Sequence, residues 1–486
     1  MKAIPTKCVT TPPELWQMVI SHLPRDTARE CLFVSRMFHA FAASLLFSTL
    51  RLRFGSWQIG YGYTEEPPEE DSGCRSCCIL LRIITDPVFA SYVKHLQIIA
   101  FPDHNATFEL CCIVRAIGCL HNLQTLQWRS CLKHMIPTAE LLETLASSCT
   151  SLRRIGLPYV TTILRSSTRS LTRLPIASLS VYPSYQDDSA SESAEDEYRR
   201  FRAPLLLLLD GHRGSITRLS IFSSALWDCP IHILQDLEEL WIYTARDLSN
   251  ATLLFHHCAR LKSLSVHTSY EVPVLDIVAE FIDVLAAHPT GLPGLTHFKL
   301  RTAEVSREQF EHLARFVGEK KKLRCLDCCS LCHSTEEMWP LLSALRSLPC
   351  LEVLGLDLPF IAVTTEYYQV LRRMFPEGIT ALRLNFEYDD YADDWTSLPK
   401  LAFAHIADNA SNPLVETRDF AAEANKLQLV GHRAFFHEIR RVGNEVELGP
   451  HWSDTKLQFP TVDDFGNEDW VWLMEGHGLL NEFSYD

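Results

Sequence analysis

The chain has 486 residues, of which 60 are acidic and 45 basic, giving a net charge of −15. Apolar residues make up 47% and charged residues 22%, a balance that excludes wholesale disorder. An acidic chain without a dense basic patch repels phosphate backbones, so no nucleic acid is expected as a partner.

The first residues, MKAIPTKCVTTPPEL, lack the apolar run of a signal peptide. The longest apolar runs, such as LLLLL at 205–209, fall short of the roughly 20 residues a membrane span needs, so no membrane partner is expected. The 17 cysteines are then expected to be reduced, in the cytoplasm and/or the nucleus.

Residues 11–50 read TPPELWQMVISHLPRDTARECLFVSRMFHAFAASLLFSTL and predict three short helices. Thr11-Pro12-Pro13-Glu14 has the form of a capping box with proline at the helix start. Leu15, Met18, Val19 and Ile20 then form an apolar face that ends near Leu23-Pro24. Thr27-Ala28-Arg29-Glu30 predicts a second helix start, with Cys31, Val34 and Phe38 at helical spacing. Phe41, Leu45 and Leu46 continue into a third segment.

This stretch resembles an F-box. The residues that carry the resemblance are Pro12-Pro13-Glu14-Leu15, Ile20 and Leu23, Arg25-Asp26, and Cys31, Val34, Ser35, Arg36 and Phe38. Thr11 and Thr27 stand where the family often has leucine, and Leu23 follows Ile20 one residue sooner than usual. The resemblance implies docking on a Skp-family adaptor and, through it, on cullin and RING subunits of a ubiquitin ligase. The positions it assigns to that interface, or to its direct support, are Pro12, Pro13, Leu15, Ile20, Leu23, Pro24, Val34, Ser35 and Phe38.

Residues 51–90 read as a linker and a first solenoid helix. TEEPPEEDS (64–72) is expected to be a hinge, and SGCRSCC (72–78) a loop bearing Cys74, Cys77 and Cys78. From residue 93 the motif apolar-x-x-apolar-x-apolar recurs, starting at 93, 123, 152, 176, 216, 237, 261, 295, 323, 351 and 379. Helical periodicity fills the intervals, as in AELLETLASSC, IVAEFIDVLAAH, EQFEHLARFV and WPLLSALRSL. A strand and a helix in each period of this size resemble leucine-rich repeats. The expected fold is therefore α/β: an irregular leucine-rich-repeat solenoid of about eleven strand–helix repeats over 91–385, preceded by a small three-helix F-box at 11–50.

That alternation bears on the run CLDCCSLC at 325–332, which holds two Cys-x-x-Cys pairs. In a strand, Leu326 and Cys328 face one way, while Cys325, Asp327 and Cys329 face the other. At roughly 3.3 Å per residue, Cys325 and Cys329 stand about 13 Å apart, too far for four thiolates on one zinc ion. No metal site is therefore assigned to the run, and Cys328, Cys149 and Cys258 are expected as small core side chains.

In such a solenoid the intervening strand positions line one face. They are Tyr182, Phe222, Trp241, Tyr243, His267, His297, Lys299, Arg301, Asp327, Asp357, Arg383 and Asn385. Aromatic and arginine side chains are the usual anchors of protein interfaces, so Tyr182, Phe222, Trp241, Tyr243, Lys299, Arg301 and Arg383 are the candidate contacts to a protein substrate.

Two further segments are acidic. Residues 186–200, containing QDDSASESAEDE, are expected to be a disordered insertion. Residues 386–486 are expected to cap the last repeat and end in an acidic, aromatic tail, with docking on a basic partner as the alternative. No nucleophile elbow, phosphate loop, dinucleotide fingerprint or zinc-protease motif occurs. The expected function is accordingly non-enzymatic, with no catalytic residues, cofactor or metal. It is substrate recognition in an SCF-type ubiquitin ligase or, alternatively, an interaction scaffold not coupled to ubiquitination.

Overall fold

An alternation of buried and outward positions suits a strand, and a strand begins two residues into each of the eleven motifs. The computed structural model describes residues 12–23, 25–55, 70–101, 107–130, 137–158, 169–182, 194–245, 247–268, 275–331, 334–358, 365–385, 398–407, 413–433, 435–443, 445–453, 456–457 and 460–477. They fall into two compact units, one running to Ile216 and the other from Thr217 onward. Both are mixed α/β, with strands and helices alternating along the chain.

The first unit opens with α1 (Pro13–Ser21), α2 (Arg25–Cys31) and α3 (Arg36–Leu46). Their core is small: Ile20, Cys31 and Ala42, with Leu23, Leu32, Phe38, Phe41 and Leu46 packed against it. The helix starts differ from those expected. Pro12 holds the N-cap position of α1 without a side-chain cap, and Thr11 lies outside the described residues. Thr27 is inside α2, which begins at Arg25. The stretch from Cys31 to Phe38 is not one helix, because Ser35 is extended and its hydroxyl accepts from Phe38 N at 3.2 Å, starting α3 afresh.

The unit continues with β1 (Thr49–Gly55), α4 (Glu70–Thr85), α5 (Pro87–Tyr92), β2 (His95–Phe101), α6 (Thr107–Cys119), β3 (Thr125–Ser130), α7 (Ala139–Ser148), β4 (Arg154–Pro158), β5 (Ser178–Tyr182) and α8 (Ala194–Gly211). Each strand from β1 to β5 pairs in parallel with the next. Parallel pairing thus begins before residue 91, since Leu50, Leu52 and Phe54 of β1 already show the buried alternation. Cys77 and Cys78 lie on α4 rather than in a loop. Residues 194–200 are helical, as the start of α8, and 186–193 lie outside the described residues.

The second unit contains β6 (Arg218–Phe222), α9 (Ser223–Trp227), α10 (Ile231–Asp236), β7 (Glu239–Ala245), α11 (Thr252–His257), β8 (Ser263–Thr268), α12 (Leu275–Ala287), β9 (His297–Glu304), α13 (Arg307–Gly318), β10 (Cys325–Leu331), α14 (Thr335–Leu345), β11 (Val353–Asp357), α15 (Thr365–Met374) and β12 (Ala381–Asn385). Then follow β13 (Phe403–Ala407), α16 (Pro413–Glu423), β14 (Leu429–His432), β15 (Phe435–Val442), β16 (Glu445–Leu448), α17 (Val462–Phe465) and α18 (Glu468–Met474). Neighbours from β6 to β14 are parallel, and β14, β15 and β16 are antiparallel. The parallel ladder therefore runs past residue 385, through β13 and β14.

Register places like positions side by side. Phe298, Leu326, Leu354 and Leu382 form one buried row, and Leu300, Cys328, Leu356 and Leu384 another. Cys328 is core, as its phase requires. Cys149 and Cys258 end α7 and α11, and burial pushes both thiols up to about 12.

The opposite face carries His297, Cys325, Val353, Ala381, Phe403 and Leu429 in one row, and Lys299, Asp327, Gly355, Arg383, His405 and Gly431 in the next. The C-terminal segments return onto this face. Phe436, Trp452, Phe465, Trp470, Leu473 and Met474 share one apolar cluster with Cys325, Val353, Ala381, Phe403 and Leu429.

Candidate functional site

Two surfaces carry the sequence-predicted residues. The first is the three-helix module. Pro12, Pro13, Leu15, Val34 and Ser35 are exposed on it. Ile20 is not: it is the buried centre of the module, because a helix this short spends its one central position on its own core. Leu23 and Phe38 are half-buried against it, and Phe38 also packs on Trp16 at 5.1 Å between ring centres. Pro24 lies outside the described residues. Beyond the expected set, Met18, Val19, Phe33 and Met37 are also exposed, Phe33 at 88%.

The second surface is the face of β7–β13 where the strand alternation aimed the candidate substrate contacts. Lys299 is its centre, and it is fully buried. Its ammonium donates to Trp472 O at 2.6 Å, Leu473 O at 2.9 Å and Glu475 O at 2.8 Å, and pairs with Asp327 Oδ2 at 3.0 Å. The last carbonyls of a helix have no partner within the helix, so Lys299 completes the C-terminal turn of α18. Its charge also lies 4.8 Å from the Trp472 ring centre.

Asp327 gathers three cationic or donor groups. His477 Nε2 donates to its Oδ2 at 2.8 Å, the Cys329 thiol donates to its Oδ1 at 3.2 Å, and Lys299 pairs with it. Burial alone raises a carboxyl pKa, but Lys299, His477 and Arg383 together outweigh it and hold Asp327 well below the usual range. Burial lowers Lys299 against the opposing pull of Asp327, and lowers His477, so the imidazole is neutral. Cys329 is pushed up by burial and then by Asp327. Arg383 donates to Asp357 Oδ1 at 2.7 Å and to Cys329 Sγ at 3.4 Å.

The edges of this network are fitted closely. Gly355 sits between Asp327 and Arg383 in register, and a Cβ there would run into the Asp327 carboxylate and Leu473. Gly476 has φ +87°, the left-handed region, and faces His267 and Trp241 with no room for a side chain. Arg301 donates to Gly476 O. At the other end of α18, Asp469 accepts from His297 Nε2 at 3.0 Å and Arg324 Nη2 at 2.6 Å, and both hold its pKa below the ordinary value.

Lys299, Arg383 and Trp241 therefore do lie on the predicted face, yet all three are buried, Lys299 under the carbonyls of the C-terminal segment. Tyr243 and Arg301 are half-buried at its margin, while the side chains of Tyr182 and Phe222 lie outside the described residues. The acidic tail meets basic residues, but they belong to the same chain. What a reading of the strands alone misses is the occupant. Its signals were the basic strand positions Lys299, Arg301 and Arg383 and a tail rich in tryptophan and acid. The chemistry of this buried cluster is to fasten α18 to the sheet.

Among the described residues no helix is long and apolar enough to cross a membrane. A scan against protein-family models and a search of curated proteins both return no match for this chain.

Proposed function

We propose that the chain is the substrate-recognition subunit of an SCF-type ubiquitin ligase, an F-box protein with leucine-rich repeats. One observation carries the reading. The three-helix module holds a core of little more than Ile20, Cys31 and Ala42, yet exposes Leu15, Met18, Val19, Phe33, Val34 and Met37. A module of this size that leaves so many large apolar side chains in water is completed by a partner. Two of them, Leu15 and Val34, are residues that resemble an F-box, and the other four lie in the same stretch, which supports a Skp-family adaptor as that partner. The strand–helix array then holds a target protein, and cullin and RING subunits supply the chemistry. The contribution of this chain is proximity. Lys299 is already engaged by the C-terminal segment and Arg383 by Asp357 and Cys329, so target contacts fall outside those rows.

The test is binding of the purified chain to a Skp-family adaptor, with a Leu15→Asp/Val34→Asp variant alongside. Both side chains are exposed, so the variant keeps its fold and is expected to lose the adaptor. A wild type that does not bind, at adaptor concentrations of about 10 μM, rejects the ligase reading. The second reading, an interaction scaffold not coupled to ubiquitination, then takes its place. The observation favouring that second reading is that the face expected to hold a target is filled by the chain's own residues.

A further inference from the structure

Although the run 325–332 does not assemble four thiolates, it brings one thiol to a different donor set. Cys325 and His297 are register partners on β10 and β9. Asp469, in the first turn of α18, sits over both. One ligand atom from each, the thiol sulfur, an imidazole nitrogen and a carboxylate oxygen, lie within 4.8 Å of one another. We propose that His297, Cys325 and Asp469 bind one zinc ion and thereby clamp the C-terminal helix to the sheet.

Thiolate, imidazole and carboxylate are the donors zinc prefers. Around a tetrahedral ion they stand about 3.3–3.7 Å apart, given Zn–S near 2.3 Å and Zn–N or Zn–O near 2.0–2.1 Å. His297 Nε2 and Asp469 Oδ1 are 3.0 Å apart, and the Cys325 sulfur lies within 4.8 Å of both, so the ion draws the thiol in and spreads the other two. The supporting contacts a metal site needs are present. His297 Nδ1 bonds Thr296 Oγ1 at 2.8 Å, which leaves Nε2 facing the cluster. The ring is also held edge-on to Trp472, 5.3 Å between centres. Arg324 takes Asp469 Oδ2 and leaves Oδ1 for the ion.

Charge decides between this cluster and its neighbour. With Cys325 and Asp469 ionised, the dication is neutralised, and the fixed cation Arg324 is shared between Asp469 Oδ2 at 2.6 Å and Glu352 at 3.1 Å. Binding releases the thiol proton to solvent, and the proton on His297 Nε2 passes to Nδ1, where it is donated to Thr296 Oγ1, whose own hydroxyl donates to Lys262 O. The side chains of His297 and Asp469 are 19% and 18% exposed, which gives the ion a route in and leaves the fourth position to water. Asp327, Cys329 and His477 form a second triad of donors, but it is sealed, and Lys299 and Arg383 already lie 3.0 and 3.4 Å from its ligand atoms. A dication placed there would face two fixed cations.

The experiment uses the tag-free full-length chain, loaded with zinc sulfate, dialysed, and analysed for metal by mass spectrometry. Cobalt(II) serves as an optical probe, because a cobalt–thiolate bond gives a charge-transfer band. One equivalent of zinc is expected in the wild type and in Cys329→Ser. Affinity is expected to fall about tenfold or more in His297→Gln and in Cys325→Ser, with the cobalt band lost in Cys325→Ser. Zinc is expected to raise the melting temperature of the wild type above that of its own apo form and to leave His297→Gln at its own apo value. A folded wild type that retains no zinc overturns the proposal and leaves an ion-pair network. So does zinc retained equally by both ligand variants, or lost in Cys329→Ser. Adaptor binding plays no part in this readout, so failure of the ligase reading and failure of the zinc site are separate results.

Discussion

Lys299 and Asp327 are register partners on adjacent strands, 3.0 Å apart, and neither side chain meets solvent. A buried pair of this kind owes its stability to complete partnering, which three carbonyls of the C-terminal segment, His477 and Cys329 provide. Removing one partner leaves a buried charge without compensation. Lys299→Met and Asp327→Asn are each expected to destabilise the second unit by about 3–5 kcal/mol, read from chemical denaturation. A loss below about 1 kcal/mol in both would mean that the pair is not closed off from water.

Truncation before Glu468 removes the same partners together with Trp470, Leu473 and Met474. Phe403, Val353 and Ala381 then face water. The truncated chain is expected to melt at a lower temperature and to bind more hydrophobic dye than the full chain at about 25 °C. An unchanged melting temperature would show that the segment is a reversible strap rather than core.

Gly355→Ala tests the fit from the sheet side. The added methyl meets the Asp327 carboxylate and Leu473, and about 1–3 kcal/mol of stability is expected to be lost. Gly118→Ala, in helix α6, meets only a methyl of Thr144 at 3.7 Å and is expected to be neutral or stabilising by up to about 1 kcal/mol. Comparing denaturation midpoints of the two variants separates crowding from a general intolerance of substitution.

Acid is expected to weaken the second unit through its buried histidines. His405 stacks on Phe436 and donates from Nε2 to Arg433 O at 2.9 Å. Burial first, then the charge of Arg383, lowers its pKa from 6.5 to about 3. Between these values the unfolded chain takes up a proton that the folded chain refuses, so stability is full above about pH 6.5 and falls as the pH drops toward 3. His267 and His477, also held down by burial, add to this slope. Asp327 and Asp469, held below the ordinary carboxyl value, lose their contribution only below about pH 4. His405→Gln removes one titrating group, so its stability is expected to fall less steeply between about pH 6.5 and 4.5, by roughly 1.4 kcal/mol per pH unit. Denaturation curves across that range check it, and parallel slopes would place the titration elsewhere.

In the three-helix module, Ile20→Ala and Val34→Ala are expected to part company. Ile20 centres the core, and its truncation is expected to cost about 2–5 kcal/mol. Val34 is exposed, and its truncation is expected to stay within about 0.5 kcal/mol. Helix content and melting of the two variants, measured side by side, give the answer.

The strands were legible because their code is local. Leu326 and Cys328 reveal by their two-residue spacing which way Cys325, Asp327 and Cys329 point, and the structure places them so. Strand β1 went unread because TLRLRFG adjoins a stretch judged a linker, although its alternation is as regular as the others. Strands β13 and β14 went unread because the row of Leu326, Leu354 and Leu382 continues in Ala404 and Val430. The helix boundary at Ser35 was hidden because a capping hydroxyl competes with helical periodicity over the same few residues.

The occupant of the sheet face is of another kind. Both the basic strand positions and the acidic, tryptophan-rich tail are plain in the chain, but 173 residues separate Lys299 from Trp472. Sequence alone settled that Lys299 and Arg383 lie off the helical side of the sheet. Only the tertiary structure decided that backbone carbonyls would surround Lys299, because a carbonyl is present at every residue and carries no side-chain signature. The same holds for the cluster of His297, Cys325 and Asp469: register makes the first two neighbours, and only the return of α18 across the sheet brings the third.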